Sequence, residues 1–261
     1  MSEAVIDNQL GREYYERFLS GKIKINPRVR SVAERFLTRF VSINYGSLVT
    51  LNESGVGIEE NPEPAIFCVN HRSWLDIPLS AKVARELGFD TTTFPMKAAL
   101  ARKPYTGVLH RLGGVGVGRG TEDKEGLLRV SNYSIDQGLT PLYYGEGTRV
   151  RSIDKQGDLV NTRKIQKIRP GVAVLSLSSG VDVIPVSLAG TADDDESSRR
   201  APFIAVVGER ISPFKGFIGQ TGEEICSDPG PVHFMCNEIK NSLQRGLDKA
   251  YETRETYLLE S

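Results

Sequence analysis

Six short apolar runs constrain what this chain can fold into more than any other feature: Ala65 to Val69, Thr92 to Met96, Val115 to Val117, Leu139 to Tyr144, Val183 to Leu188 and Phe203 to Val207. Each has the length of a β-strand and is bounded by polar or glycine-rich sequence. Between them, Ile77 to Leu87, Lys124 to Gln137 and Gly171 to Ser179 carry apolar residues at helical spacing. A strand apolar along its whole length has both faces covered, and strands that alternate with helices join in parallel. The pattern predicts an α/β domain with a central, mostly parallel sheet flanked by helices. A last amphipathic helix, with Met235, Ile239, Leu243, Leu247 and Ala250 on one side, is expected to close the fold.

An N-terminal helical addition precedes this core. Asn26 is placed to cap a helix running to about Tyr45, Pro27 suits its first position, and Val29, Val32, Ala33, Phe36, Leu37 and Phe40 form an apolar stripe. Arg28, Arg30, Arg35 and Arg39 line the other face. Two readings stay open, a helix packed on its own core and a basic helix lying on an anionic membrane surface. The expected division is residues 1–50 for this segment and 51–261 for the main domain.

Composition removes several classes. Lys plus Arg and Asp plus Glu both total 33, so the zero net charge provides no field to recruit nucleic acid. Three cysteines, Cys68, Cys226 and Cys236, are odd in number and lack paired metal spacing, as expected for thiols of a reducing compartment. The first residues lack a basic region followed by an apolar stretch, and no run of about 18 apolar residues occurs. A cytoplasmic location is expected, with attachment to the inner face of a membrane as an extension of it. Ser152 to Arg163 and Thr191 to Arg200 read as loops. The acidic run Asp193 to Glu196 lacks the glycine and distal glutamate of a calcium loop, so no metal site is expected.

Chemistry concentrates at two strand ends. The run Ala65 to Val69 leads straight into Asn70 and His71, which places the imidazole at the carboxyl edge of the sheet, where α/β proteins hold their ligands. Asp76 follows five residues later. On a regular helix five steps leave two side chains about 140° apart, so the pair meets only if a turn at Arg72 to Trp74 intervenes. Such a turn would let the carboxylate fix one imidazole nitrogen while the other accepts a proton from a hydroxyl. The alternative is a structural histidine capping a turn. At the second strand end, Leu139 to Tyr144 runs into Gly145-Glu146-Gly147-Thr148-Arg149, where glycines admit a ligand to the backbone and Arg149 can grip a phosphate or carboxylate.

Taken together, these segments resemble the glycerolipid acyltransferases. Asn70-His71-Arg72-Ser73-Trp74-Leu75-Asp76 is similar to the first motif of that family and Glu146-Gly147-Thr148-Arg149 to the core of its third. Met96 to Leu100 resembles the lysine-bearing segment after the second strand, Gly113 to Arg119 ends in the arginine of the second motif, and Val183 to Ser187 resembles the proline-containing fourth. The likeness spans Pro64 to Thr191. It implies that 51–261 is an acyltransferase domain, with His71 as general base and Asp76 as its orienting partner. The acyl donor would be a coenzyme A or acyl-carrier-protein thioester, a co-substrate, with no separate cofactor. Lys97, Arg119, Glu146, Gly147, Thr148 and Arg149 would hold the acceptor, by default lysophosphatidate. Gly145 stands where the third motif usually has proline, and the second motif lacks its bulky residues, which points to a reshaped acceptor site and to a specialised, non-glycerol acceptor as the alternative.

Other chemistries compete. The run Gly113 to Gly120 contains no G-x-G-x-x-G start, against a dinucleotide site. Cys68 and Ser73 are candidate nucleophiles, but strand alternation turns Cys68 away from His71 and no nucleophile elbow surrounds Ser73. His110 and His233 lack zinc-site spacing with His71. A lipid-binding module without turnover and a thioester hydrolase remain as further readings.

Overall fold

The computed structural model describes residues 12–13, 16–22, 32, 35, 39, 47–53, 62–89, 92–97, 113–117, 124–151, 160–192 and 201–260. Among the described residues seven strands form one sheet: β1 (Leu48–Asn52), β2 (Ala65–Val69), β3 (Thr92–Lys97), β4 (Gly114–Val117), β5 (Thr140–Tyr144), β6 (Asp182–Ala189) and β7 (Phe203–Val207). Their order is β1-β7-β6-β2-β5-β3-β4. Every pairing from β6 through β4 is parallel, whereas β7 runs antiparallel to β6 and carries β1 parallel to itself. The expected α/β architecture, a central and mostly parallel sheet, is the one found.

Burial explains why these segments are strands. β2 is inaccessible along its whole length, and its residues divide by the two-residue pleat: Ile66 and Cys68 enter one apolar cluster, Ala65, Phe67 and Val69 the other. The helices covering these faces are α1 (Asp76–Glu86), α2 (Lys124–Asp136), α3 (Gly171–Ser179), α4 (Gly222–Ser227) and α5 (Pro229–Glu260). Leu79, Val83 and Ala84 of α1 cover the Phe67 face, and Pro78 falls in the first turn of α1, where a missing N–H breaks no helical bond. The other face is closed by α3 and α5, whose Met235, Ile239, Leu243, Leu247 and Ala250 form the predicted stripe and are all buried. Ser187 Oγ in β6 donates to Leu243 O at 2.7 Å and fixes α5 against the sheet.

The basic helix expected from Asn26 to Tyr45 falls almost entirely outside the described residues, as do most of the loops at 152–163 and 191–200. Further upstream, Phe18 is buried with Val115 and Val130 and stands edge-on to Tyr133, ring centroids 5.4 Å apart. Among the described residues no helix is long and apolar enough to cross a membrane.

Topology sets where a site can form. From β2 the chain moves to β3 and β4 on one side, returns as β5 beside β2, then continues as β6 on the opposite side. The direction of progress reverses around β2. Ligand crevices of open parallel sheets lie outside the strands' carboxyl ends at such a reversal. There the chain leaves β2 into Asn70 and His71, and β5 into Gly145.

Candidate active site

Asn70 sets the path of the chain out of β2. Its buried side chain donates to Leu188 O at 3.0 Å and accepts from Leu188 N at 2.7 Å, so an amide side chain extends the β2–β6 ladder by one rung. His71 follows with its backbone held on both sides: its N–H donates to Glu146 Oε2 at 3.2 Å, and its carbonyl accepts from Val150 N at 2.8 Å. The segments after β2 and β5 are thereby tied together.

A tight turn then brings Asp76 back to His71. Asp76 opens α1, where a negative charge is favoured by the helix dipole, and its Oδ2 accepts from Arg72 N at 2.6 Å and Ser73 N at 2.7 Å. The same oxygen lies 2.9 Å from His71 Nδ1. An ionised carboxylate only accepts, so Nδ1 carries the hydrogen and Nε2 keeps a lone pair. Asp76 is fully buried, while the His71 side chain retains 16% exposure. The imidazole also stacks on Tyr144, with centroids 4.2 Å apart and planes inclined by 25°. One ring edge is held by a charge and one face by an aromatic ring, which leaves Nε2 as the nitrogen able to take a proton.

Beneath this pair lies a buried cation. Arg72 Nη1 meets Glu146 Oε2 at 2.5 Å with both side chains about 1% exposed. The remaining guanidinium donors reach Thr162 O at 2.7 Å, Lys164 O at 3.2 Å and His71 O at 3.2 Å. Glu146 Oε1 accepts from Gln166 N at 2.8 Å. Three chain segments therefore converge on one ion pair, and both Glu146 oxygens are engaged by protein groups. That geometry makes Glu146 a strut under the site.

The turn after β5 is shaped by close approach. A β-carbon at Gly145 would stand 2.8 Å from Cys68 Sγ and 3.0 Å from Ile168 Cδ1, so the position usually taken by proline is filled here by neighbouring side chains. Gly147 has a φ of 71°, the left-handed conformation that glycine adopts without strain. Gly147, Thr148 and Arg149 are exposed at the rim. Lys97 ends β3 at the same sheet edge, and Arg119, two residues beyond the end of β4, lies outside the described residues.

The competing nucleophiles are poorly placed. Cys68 is fully buried in the cluster beneath α5, and burial pushes its thiol well above the ordinary range, with Glu146 and Cys236 adding to the rise. Ser73 is buried and its Oγ accepts from Leu75 N at 3.2 Å within the turn. Among the described residues no cluster of His, Cys, Asp or Glu has the arrangement of a metal site. Sequence reading missed the Tyr144 stack and the Arg72–Glu146 pair. Arg72 sits within the recognised motif, yet nothing in a linear pattern signals that its charge is buried.

The family model described as Acyltransferase matches residues 55–189, more than half of the chain. The chain belongs to the acyltransferase family. The resemblance to the glycerolipid acyltransferases holds on comparison with known proteins. This acyltransferase is 26% identical over 204 residues to the lyso-ornithine lipid O-acyltransferase of Pseudomonas aeruginosa, covering 78% of this chain and 69% of that protein. It also matches the crystal structure of the 1-acyl-sn-glycerophosphate acyltransferase PlsC from Thermotoga maritima, with a TM-score of 0.53 and 20% identity over 95% of this chain and 98% of the other. That likeness supports the fold.

Proposed function

We propose that this acyltransferase transfers a fatty acyl group from a coenzyme A or acyl-carrier-protein thioester to the hydroxyl of a lysolipid, with lysophosphatidate as the default acceptor. The observation carrying this reading is the 2.9 Å contact between His71 Nδ1 and Asp76 Oδ2, which leaves Nε2 as the proton acceptor. As Nε2 takes the hydroxyl proton, the oxygen attacks the thioester carbonyl carbon. Asp76 steadies the imidazolium. Collapse of the tetrahedral intermediate breaks the carbon–sulfur bond, and the imidazolium returns its proton to the departing sulfur. No acyl-enzyme forms and no cofactor is needed.

Lys97, Arg119, Glu146, Gly147, Thr148 and Arg149 are the residues proposed to hold the acceptor, Glu146 through the turn that it braces and Arg149 by charge-assisted contact to the anionic group. A soluble thioester and a lipid acceptor would meet at the cytoplasmic face of a membrane, with the protein peripheral to it and the segment 1–50 as a contact. A second acceptor is favoured by the curated relative, a lyso-ornithine lipid, whose headgroup is an amino acid.

The test is thiol release by purified protein from acyl-coenzyme A and acyl carrier protein against lysophosphatidate, lyso-ornithine lipid and non-glycerol alcohols, with products identified by mass. Acceptor-dependent release that is lost in His71→Ala supports the reading. Release without acceptor indicates a hydrolase, and lipid binding without release indicates a binding module.

A further inference from the structure

The residues framing the turn at Gly147 include one that lies outside every recognised motif. Arg169 N donates to Gly145 O at 2.8 Å, which clamps the segment before α3 against the turn after β5. Along that segment Ile165 and Ile168 are buried in the core, whereas Arg169 is exposed. Its stem lies across Gly147. The place of a β-carbon on Gly147 is 2.9 Å from Arg169 Cγ and 3.5 Å from Nε, so the missing side chain of residue 147 is replaced in space by an arginine delivered from 22 positions downstream.

That arginine is exposed to solvent. Glu146, the nearest acid in sequence to the turn, is committed below the site to Arg72 Nη1, His71 N and Gln166 N. Among the described residues neither Arg149 nor Arg169 forms an ion pair. Arg149 is exposed two positions past Gly147, and the Arg169 side chain crosses that glycine from the other segment. A guanidinium fork beside an exposed glycine backbone suits an oxyanion with several acceptor oxygens.

We infer that Arg169 is a second arginine of the acceptor's anion subsite, selecting lysolipids whose headgroup carries a phosphate or carboxylate. The inference rests on the proposed O-acyl transfer at His71. Gly147 is needed for two reasons, its backbone conformation and the room it gives the Arg169 stem.

The experiment has a turnover arm and a binding arm. In the first, kinetics on the full chain compare wild type with Arg169→Met, which keeps an apolar stem over Gly147, and Arg169→Lys, with lysophosphatidate or uncharged monoacylglycerol as acceptor. KM for lysophosphatidate should rise at least about tenfold in Arg169→Met, the loss of a charged hydrogen-bonding partner, and recover in part with Lys. The kcat and the KM values for monoacylglycerol and for the thioester should stay within about threefold, a split that a merely structural role would not produce. In the second arm, lysophosphatidate binding is measured calorimetrically on His71→Ala with and without Arg169→Met. Weaker binding in the double variant supports the subsite even if turnover fails. Equal binding overturns it, as does an equal rise in KM for monoacylglycerol, while a rise confined to the thioester would move Arg169 to the donor.

Discussion

Arg72 and Glu146, 74 positions apart in the chain, form an ion pair at 2.5 Å with both side chains excluded from water. It joins the segment holding His71 to the turn holding Gly147, so the two motifs that resemblance treats as separate contacts are one mechanical unit. Glu146→Ala would leave the guanidinium buried without its counter-charge. The expected loss of unfolding free energy is about 3–5 kcal/mol, whereas replacing both partners with Met should cost less than the sum of the single changes. Urea denaturation of the two single variants and the double variant measures this, and single losses below about 1 kcal/mol would show that the pair does not hold the segments.

Gly145 occupies a space with no room for a β-carbon beside Cys68 Sγ and Ile168 Cδ1. Gly145→Ala is expected to cost about 1–3 kcal/mol by overpacking, and Cys68→Ala in the same chain should restore part of it. Gly145→Pro, which brings back the residue usual in the family, should be worse, because Gly145 N donates to Val69 O at 2.9 Å and proline has no such hydrogen. Thermal midpoints rank the three variants.

These two cases show what could be read from sequence and what could not. The strands β2 to β7 and the helices α1, α2, α3 and α5 were legible because short apolar runs and helix-like apolar segments have a direct spatial meaning, whereas the six-residue α4 is too short to carry such a pattern. β1 was not, since Leu48–Asn52 is a half-buried edge strand whose short mixed run carries little period. The reversed direction of β7 also had no local signature. Within the site, His71, Asp76 and the Gly145–Arg149 turn were visible as chemistry at strand ends. The engagement of Glu146 by Arg72 and the placement of Arg169 over Gly147 depend on contacts between distant segments, which no spacing rule encodes.

Cys68, Tyr143 and Tyr144 share a consequence of burial. Desolvation raises all three ionisations above their ordinary values. A raised folded value means that the unfolded chain loses its proton first. The stabilisation is whole below the unfolded values, about 8.5 for a thiol and about 10 for a phenol, and is lost as pH rises beyond them. Stability should fall by about 1.4 kcal/mol per pH unit for each group once its unfolded form ionises. Denaturation series from pH 8 to 11 test this, and a flat profile would contradict it. In the native state a thiol reagent should modify the exposed Cys226 quickly, leave Cys68 intact and spare acyl transfer.

Asp76→Asn separates orientation from charge. An amide oxygen can still accept from Arg72 N and Ser73 N, so the turn should persist with a loss of about 1–2 kcal/mol. The imidazolium would lose its counter-charge. The kcat is expected to drop about 10²- to 10⁴-fold with acceptor KM changed only a few-fold, as steady-state kinetics would show.

The most direct test is the turnover number of His71→Ala in acceptor-dependent thiol release, on protein whose circular dichroism matches wild type. The account predicts a fall of about 10²- to 10⁴-fold, because the arrangement leaves Nε2 of that imidazole as the group that takes the hydroxyl proton. Transfer at near wild-type rate would contradict it and would move the base elsewhere.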